Sequence, residues 1–149
     1  MKQIRFERGG GTVPPGFLAL CRVNRDPSDP ARFAGDSDPR RYCDWATAHP
    51  VLLVIEALNQ FAVKASRTVH DTPALMVPAQ LRELTLHQID GYPRLALSGT
   101  VVKHGDGYRV DVSARDADAG MYPTVASGTI VVGLMPARPP AVAVPRERM

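Results

Sequence analysis

A single carboxylate, Glu56, interrupts the most apolar run of the chain, HPVLLVIEALNQFAVKAS at residues 49–66. At helical spacing it shares one narrow stripe with three other polar residues: Asn59, Gln60 and Lys64. The apolar flanks disfavour full exposure of that stripe. A partly buried carboxyl group suits acid–base chemistry, in which it gives a proton to a reacting group. We therefore take Glu56 as the candidate catalytic acid and Gln60 as the side chain that orients it.

Acid–base catalysis usually needs a second titratable group, and His49 is a candidate. It precedes Glu56 by seven residues, which is about two helical turns and on the order of 10 Å along a helix. The two side chains would share a helix face and act on opposite ends of a small reacting group. The alternative is that His49 only forms the entry turn of the helix. The three other histidines are expected at the surface: His70, His87 and His104.

The segment that carries these residues is predicted to be one long buried helix, from about Pro50 to Ser66. Proline fits a first helical position because its missing N–H would be unpaired there anyway. Before the helix, residues 17–23 (FLALCRV) are predicted to form a strand, and the Asp-Pro turns of residues 24–44 an ordered loop. After the helix, apolar residues alternate with polar ones, which is typical of strands. These strands are predicted at 74–88, 93–104, 108–115 and 124–134.

A sheet of long antiparallel strands follows from this order. The sequence HGDG at 104–107 predicts a tight hairpin turn. One apolar helix needs apolar surface on nearly all sides, and a single curved sheet around it provides that surface. The predicted fold class is therefore α+β, with one domain at 1–135 and a Pro- and Ala-rich tail at 136–149. Because such a sheet leaves an edge strand open, a homodimer or heterodimer is expected.

Composition narrows the function classes. The net charge is +3, but the basic residues are scattered, so nucleic acid is not indicated as a partner. No apolar run approaches the roughly 18 residues of a membrane span, and the first residues lack the apolar core of a signal peptide. We therefore expect a cytoplasmic protein. The two cysteines, Cys21 and Cys43, have no CxxC or zinc-ligand spacing, so neither a metal nor another cofactor is expected.

The helix segment resembles that of the β-hydroxyacyl-acyl-carrier-protein dehydratases, hotdog-fold enzymes of fatty acid synthesis. Their motif runs H-F-P-G-x-P-x-x-P-G-V-L-x-x-E-A-x-x-Q. Glu56, Ala57 and Gln60 match its E-A-x-x-Q, while Pro50 and Leu53 match its last proline and its leucine. The opening VPPGFLALCRV and the strands after the helix also agree with that family. The resemblance implies a hotdog fold, a dimer, and a thioester of acyl carrier protein or coenzyme A as the substrate.

Two positions depart from the family pattern. The alignment puts Tyr42 where the family has its catalytic histidine and Val51 where it has a glycine. In the family, the histidine removes the proton next to the thioester carbonyl, the glutamate protonates the departing hydroxyl, and the glycine N–H holds the carbonyl oxygen. The resemblance thus implies Glu56 as the acid, Val51 as the backbone donor, and Tyr42, His49 or a residue of another chain as the base. Dehydratase-like proteins of aryl-polyene and polyketide pathways also lack H-F-P-G, and this sequence resembles them more closely.

Three functions remain open at this point. The first is a β-hydroxyacyl thioester dehydratase with an altered base, acting alone or with a partner. The second is a hotdog thioesterase, in which the carboxylate of Glu56 activates water or attacks the thioester. The third is a non-catalytic subunit of a heterodimeric dehydratase. The absence of H-F-P-G favours the thioesterase, because no histidine is needed there, whereas E-A-x-x-Q favours a dehydratase.

Overall fold

A computed structural model of the chain describes residues 21–38, 49–89 and 91–135. The described elements, in chain order, are β1 (Arg22–Arg25), β2 (Arg32–Ser37), α1 (Pro50–Val69), β3 (Leu75–Leu86), β4 (Leu95–His104), β5 (Gly107–Asp116) and β6 (Thr124–Met135). The six strands form one antiparallel sheet in the order β1-β2-β4-β5-β6-β3. Helix α1 contacts every one of them, so the sheet wraps around the helix as predicted. The proposed tail at 136–149 lies outside the described residues.

Helix α1 forms the centre of the core because its apolar residues recur at helical spacing. The buried apolar side chains are Leu53, Val54, Ala57, Leu58, Phe61, Ala62, Val63 and Ala65. The helix begins at Pro50 as predicted but ends at Val69, three residues beyond the predicted end. The extension occurs because the N–H of His70 donates to the carbonyl oxygen of Ser66 at 3.0 Å, which closes one further turn.

Phe61, which is completely buried, lies against two glycines on neighbouring strands. A Cβ atom built on Gly99 of β4 would come within 2.8 Å of the Phe61 ring. One built on Gly35 of β2 would come within 3.4 Å of the ring and 1.9 Å of the Arg22 carbonyl oxygen. Because Gly35 and Gly99 have no side chains, the Phe61 ring packs directly on the sheet backbone. This packing brings α1 close to β2 and β4.

The strands after the helix match their predictions to within two residues at either end. The hairpin turn at 104–107 is confirmed, and Gly105 adopts a φ of 57°, which glycine tolerates because it has no Cβ. The alternation on β5 is also confirmed, with one face buried and the other facing outward. The buried residues are Tyr108, Val110, Val112 and Ala114. β3 is bent by two register shifts, one between Pro78 and Gln80 and one between Arg82 and Thr85.

The prediction of an ordered loop over 24–44 is wrong for its described part. β1 and β2 form an antiparallel hairpin, in which Arg25 pairs with Phe33. In the turn, Asp26 accepts the N–H of Ser28 at 2.8 Å, and Asp29 accepts the N–H of Ala31 at 3.0 Å. The aspartate side chains thus accept hydrogen bonds from backbone N–H groups of the turn, and the chain continues from this turn into strand β2. The strand predicted at 17–23 is described only from Cys21 onward, where β1 occupies Arg22–Arg25.

The Ser66 hydroxyl destabilises this core. The residue is completely buried, and its Oγ has no hydrogen-bond partner within the described part of the chain. We expect Ser66→Ala to raise the free energy of unfolding by about 1 kcal/mol, because it removes an unpaired buried polar group and favours the helix. Urea denaturation measures the change, and Ser113→Ala on the outer face of β5 is the control, expected within about 0.5 kcal/mol of wild type. A destabilised Ser66→Ala protein would contradict this account.

Candidate functional site

Glu56 and Gln60 lie one turn apart on α1 and are in contact. The side-chain amide of Gln60 donates through Nε2 to Oε1 of Glu56 at 3.1 Å. Gln60 is 2% exposed, whereas Glu56 is half-buried. Burial restricts the amide to few rotamers, so it can hold the carboxylate in one orientation while the other side of the carboxylate remains accessible. A carboxyl group held in this way can exchange a proton with a neighbouring molecule.

Lys64, the last residue of the polar stripe, contacts the edge of the sheet. Lys64 donates through Nζ to the carbonyl oxygen of Cys21, the residue immediately before β1. The Cys21 thiol is buried, and burial is the main reason that its pKa is raised to about 11. The Lys64 ammonium lowers that pKa, while the Asp36 and Glu56 carboxylates raise it. None of the four stripe residues is fully exposed, as predicted, and Glu56, Gln60 and Lys64 form hydrogen bonds within the fold.

The Cys21 thiol makes stability depend on alkaline pH. Its pKa is higher in the folded state, about 11, than the ordinary value of 9.0. The stabilisation is complete below pH 9 and is lost as pH rises from about 9 to 11, by up to roughly 2–3 kcal/mol. Two proteins that both carry Cys43→Ser are compared, one with Cys21 and one with Cys21→Ala. We expect the free energy of unfolding to fall more steeply over this interval in the protein that keeps Cys21. Urea titrations at pH 8, 9, 10 and 11 measure the two slopes, and equal slopes would contradict the burial of a neutral thiol.

His49 is the N-cap of α1. Its backbone is extended, with φ −62° and ψ 134°, and its Nδ1 accepts the N–H of Val51 at 3.2 Å. Because Nδ1 uses its lone pair in that bond, the neutral ring carries its proton on Nε2. The free side of the exposed imidazole is then a donor and not a base. The same bond engages the Val51 N–H, which the family resemblance assigns to a substrate oxygen.

Replacement of His49 separates capping from chemistry. We expect His49→Ala to lose about 1 kcal/mol of stability, because an N-cap acceptor is removed. His49→Asn should have a free energy of unfolding within about 0.3 kcal/mol of wild type, since the asparagine side-chain oxygen can accept the same N–H. Thermal and urea unfolding measure both. If His49→Asn folds like wild type yet loses turnover, the imidazole takes part in the reaction.

Four other residues were considered in the sequence: Tyr42, His70, His87 and His104. Tyr42 lies outside the described residues. His70 is half-buried, not at the surface as predicted, because its Nδ1 is 2.7 Å from the hydroxyl of Tyr108 and its Nε2 3.2 Å from that of Thr72. It stands 14 residues after Glu56, roughly 21 Å along the helix, and so ties the helix end to β5 instead of joining Glu56. His87 and His104 are exposed as predicted.

The space enclosed under the start of α1 is small. An enclosed cavity of about 10 Å³ lies under the first turns of α1, between Leu53, Tyr92 and Leu95. That volume holds at most a single water molecule. That space is therefore too small for a larger apolar ligand. On the outer side of α1, Leu52 is 60% exposed one turn before Glu56.

The described ranges hold no site for a metal and no membrane span. Nowhere in residues 21–38, 49–89 and 91–135 do three His, Cys, Asp or Glu side chains converge as a metal ion would require. Of the described part, no helix is long and apolar enough to cross a bilayer.

Comparison with solved structures identifies the fold. AziG of S. sahachiroi superimposes with a TM-score of 0.57 at 18% identity, over 79% of this chain and 92% of that one. A thioesterase family protein from Silicibacter pomeroyi gives 0.54 at 15% identity, over 81% and 89%. A mutant thioesterase from Pseudomonas aeruginosa gives 0.53 at 18% identity, over 80% and 86%. No protein-family model and no curated protein matches the sequence. One helix wrapped by a six-stranded antiparallel sheet, shared with these structures, gives this chain the hotdog fold.

Proposed function

We propose that this hotdog protein is a cytoplasmic enzyme that acts on acyl thioesters through Glu56, and that hydrolysis is the reaction its geometry supports best. The observation that carries the proposal is the half-buried carboxylate held at 3.1 Å by the buried amide of Gln60. A carboxylate alone suffices for hydrolysis, whereas dehydration also needs a base. Two of the three structures compared above are named thioesterases, which supports the same class.

The proposed hydrolysis needs few groups. The carboxylate of Glu56 accepts a proton from a water molecule as that water adds to the thioester carbonyl carbon. The carbon–sulfur bond then breaks, the sulfur takes the proton from the Glu56 carboxyl group, and a carboxylic acid and a thiol result. Gln60 keeps the carboxylate turned toward the reacting water. The substrate would be a thioester of coenzyme A or of an acyl carrier protein, with its acyl group along the outer side of α1.

Dehydration of β-hydroxyacyl thioesters is the second candidate. The match of Glu56, Ala57 and Gln60 to E-A-x-x-Q favours it. In this reaction Glu56 protonates the departing hydroxyl, and a base removes the proton next to the carbonyl. His49 cannot accept that proton while its Nδ1 holds the N–H of Val51. The base would then come from Tyr42 or from a second hotdog subunit. If that second subunit supplied both the acid and the base, this chain would be the non-catalytic subunit of a heterodimer.

A two-readout assay separates these reactions. The protein is incubated with acyl and β-hydroxyacyl thioesters of coenzyme A and of acyl carrier protein. Release of free thiol, followed with a thiol reagent, reports hydrolysis, and the ultraviolet absorbance of the enoyl thioester reports dehydration. We expect thiol release without enoyl formation. Enoyl formation would support the dehydratase instead, and inactivity on every substrate would overturn both reactions in favour of a non-catalytic subunit.

We further propose that the protein is a dimer paired through β3. β3 is the last strand of the sheet beside β6, and its outer edge has no partner among the described strands. Most of its residues are exposed, including Leu75, Leu81 and Leu86. An open edge with apolar side chains favours pairing with another copy or with a related hotdog subunit.

A further inference from the structure

The loop between β5 and β6 presents two large apolar side chains to the exterior. Met121 is 98% exposed and Tyr122 is 54% exposed. Both adopt a left-handed backbone, with φ of 67° and 45°, which strains residues other than glycine. The neighbouring Gly120 does not take such a φ. Strained residues of this kind persist where the surrounding structure fixes them and often mark functional contacts. The N–H of Tyr122 donates to the carbonyl oxygen of Ala119 at 3.3 Å, so the two residues belong to a closed turn that leaves both side chains exposed.

Hydrogen bonds at the base of this loop fix its shape. Asp116 accepts through Oδ1 the N–H groups of Asp118 at 2.9 Å and Ala119 at 3.1 Å. The N–H of Asp116 donates to the carbonyl oxygen of Pro123 at 2.9 Å, and Asp118 accepts the N–H of Arg94 at 3.0 Å. A loop that is ordered in advance loses little conformational entropy when a partner binds. Exposed Met and Tyr side chains on such a rigid support are typical of protein interfaces.

The loop lies beside the C-terminal end of the open edge strand β3, and a cavity lies at the N-terminal end of that strand. The N–H of His87, just after β3, donates to the carbonyl oxygen of Val125 at 2.8 Å, which places the start of β6 and the preceding loop at the C-terminal end of β3. At the N-terminal end of β3 is a cavity of about 390 Å³. It is lined by residues 71–74 together with Arg67, His70 and Met76.

Two-fold pairing of this edge would bring the loop and the cavity together. In an antiparallel pair of β3 strands, the C-terminal end of one copy lies beside the N-terminal end of the other. The loop of one copy then lies about two strand spacings, roughly 10 Å, from the cavity of the second copy. Because the arrangement is two-fold, the same contact forms twice.

We propose that Met121 and Tyr122 of one copy insert into the cavity beside residues 71–74 of a second copy, and reciprocally. Pro73, Ala74 and Met76 offer apolar contacts for Met121. Arg67 and Asp71, both exposed, offer partners for the Tyr122 hydroxyl. The cavity lies within the size range that accommodates small ligands, so two side chains fit. The contact does not depend on which reaction Glu56 performs.

Cross-linking tests this contact directly. Met121→Cys is combined with Thr72→Cys in a Cys43→Ser background, where Cys21 remains buried. We expect a short bismaleimide to convert the protein into a covalent dimer, with little product from either single variant. The matched control pairs Met121→Cys with Val102→Cys, an exposed position on β4, and should give no covalent dimer.

Sedimentation supplies a second measurement. We expect Met121→Ala to weaken the dimer by at least roughly 10-fold in dissociation constant, because it removes the apolar contacts with Pro73, Ala74 and Met76, whereas Val102→Ala should leave it unchanged. Circular dichroism checks that each variant is folded. A wild-type monomer, a dimer that the Met121/Thr72 pair does not cross-link, or equal cross-linking of the control pair would each overturn the proposal. None of these readouts needs turnover, so they stand apart from the proposed reaction.

Discussion

Glu56→Gln is expected to lower kcat on every thioester that the protein processes by about 10²–10⁴-fold, the range that a general acid or base contributes. Glutamine has nearly the same shape as glutamate but cannot accept a proton from water or give one to a leaving group. The fold should not change, because the new amide can still accept the hydrogen bond that Gln60 donates at 3.1 Å. The loss should therefore fall on kcat and leave KM and the unfolding temperature close to wild type.

The measurement is a comparison of thiol release and enoyl formation for wild type, Glu56→Gln and two controls. Asp106→Asn removes an exposed carboxylate in the hairpin turn and should keep full activity. Gln60→Ala removes the positioning amide, so it should lower kcat less than Glu56→Gln does. Its buried site also makes a loss of stability expected, which unfolding curves separate from the effect on rate. Unchanged turnover in Glu56→Gln would remove this residue from the reaction altogether.

Local patterns predicted most of this fold because its core depends on one helix. The apolar run that starts at Pro50 can be buried only if strands surround it, and the period-two pattern after residue 74 supplies those strands. The pairing of Glu56 with Gln60 was also predictable, since residues four apart on a helix are neighbours. Both inferences rest on patterns that repeat within a few residues along the chain.

Non-local contacts account for what the sequence did not reveal. The turn at 26–31 was recognised from its Asp-Pro pairs, but turn residues do not distinguish a loop from a hairpin. That the chain returns as β2 depends on its pairing with β4, in which Phe33 lies opposite Gly99, 66 residues later. His70 was assigned to the surface because its partner Tyr108 is 38 residues away. No spacing rule connects such positions before the sheet is known.

The role of His49 shows a different limit. Its position before the helix is equally consistent with an N-cap and with a reacting group seven residues from Glu56. Only the direction of the hydrogen bond from Val51 distinguishes them, because that bond fixes which ring nitrogen carries the proton. Sequence spacing predicts which residues lie near each other, whereas acid–base roles depend on the orientation of single atoms.

Phe61→Ala is expected to lower the free energy of unfolding by about 3–5 kcal/mol, the usual cost of removing a fully buried aromatic ring. Phe61 is 0% exposed. Its ring rests on Gly35 and Gly99, which have no side chains that could move into the space left behind. The cavity would therefore stay open. Since a domain of this size has only about 5–15 kcal/mol of stability, such a loss is large. Leu52→Ala, on a side chain that is 60% exposed, is the control and should cost far less.

A double-mutant cycle tests whether the ring and the glycines act together. In Gly99→Ala the new Cβ would lie 2.8 Å from the Phe61 ring and 2.8 Å from the Asp111 carbonyl oxygen. The first conflict disappears when Phe61 becomes leucine, but the second remains because it involves backbone. We therefore expect Phe61→Leu/Gly99→Ala to be less destabilised than the sum of the single variants, with a coupling of about 0.5–3 kcal/mol, yet less stable than Phe61→Leu alone. Urea denaturation of the four proteins measures the coupling. Strict additivity would mean that the ring does not need the missing side chain of Gly99, and that another contact sets the distance between helix and sheet.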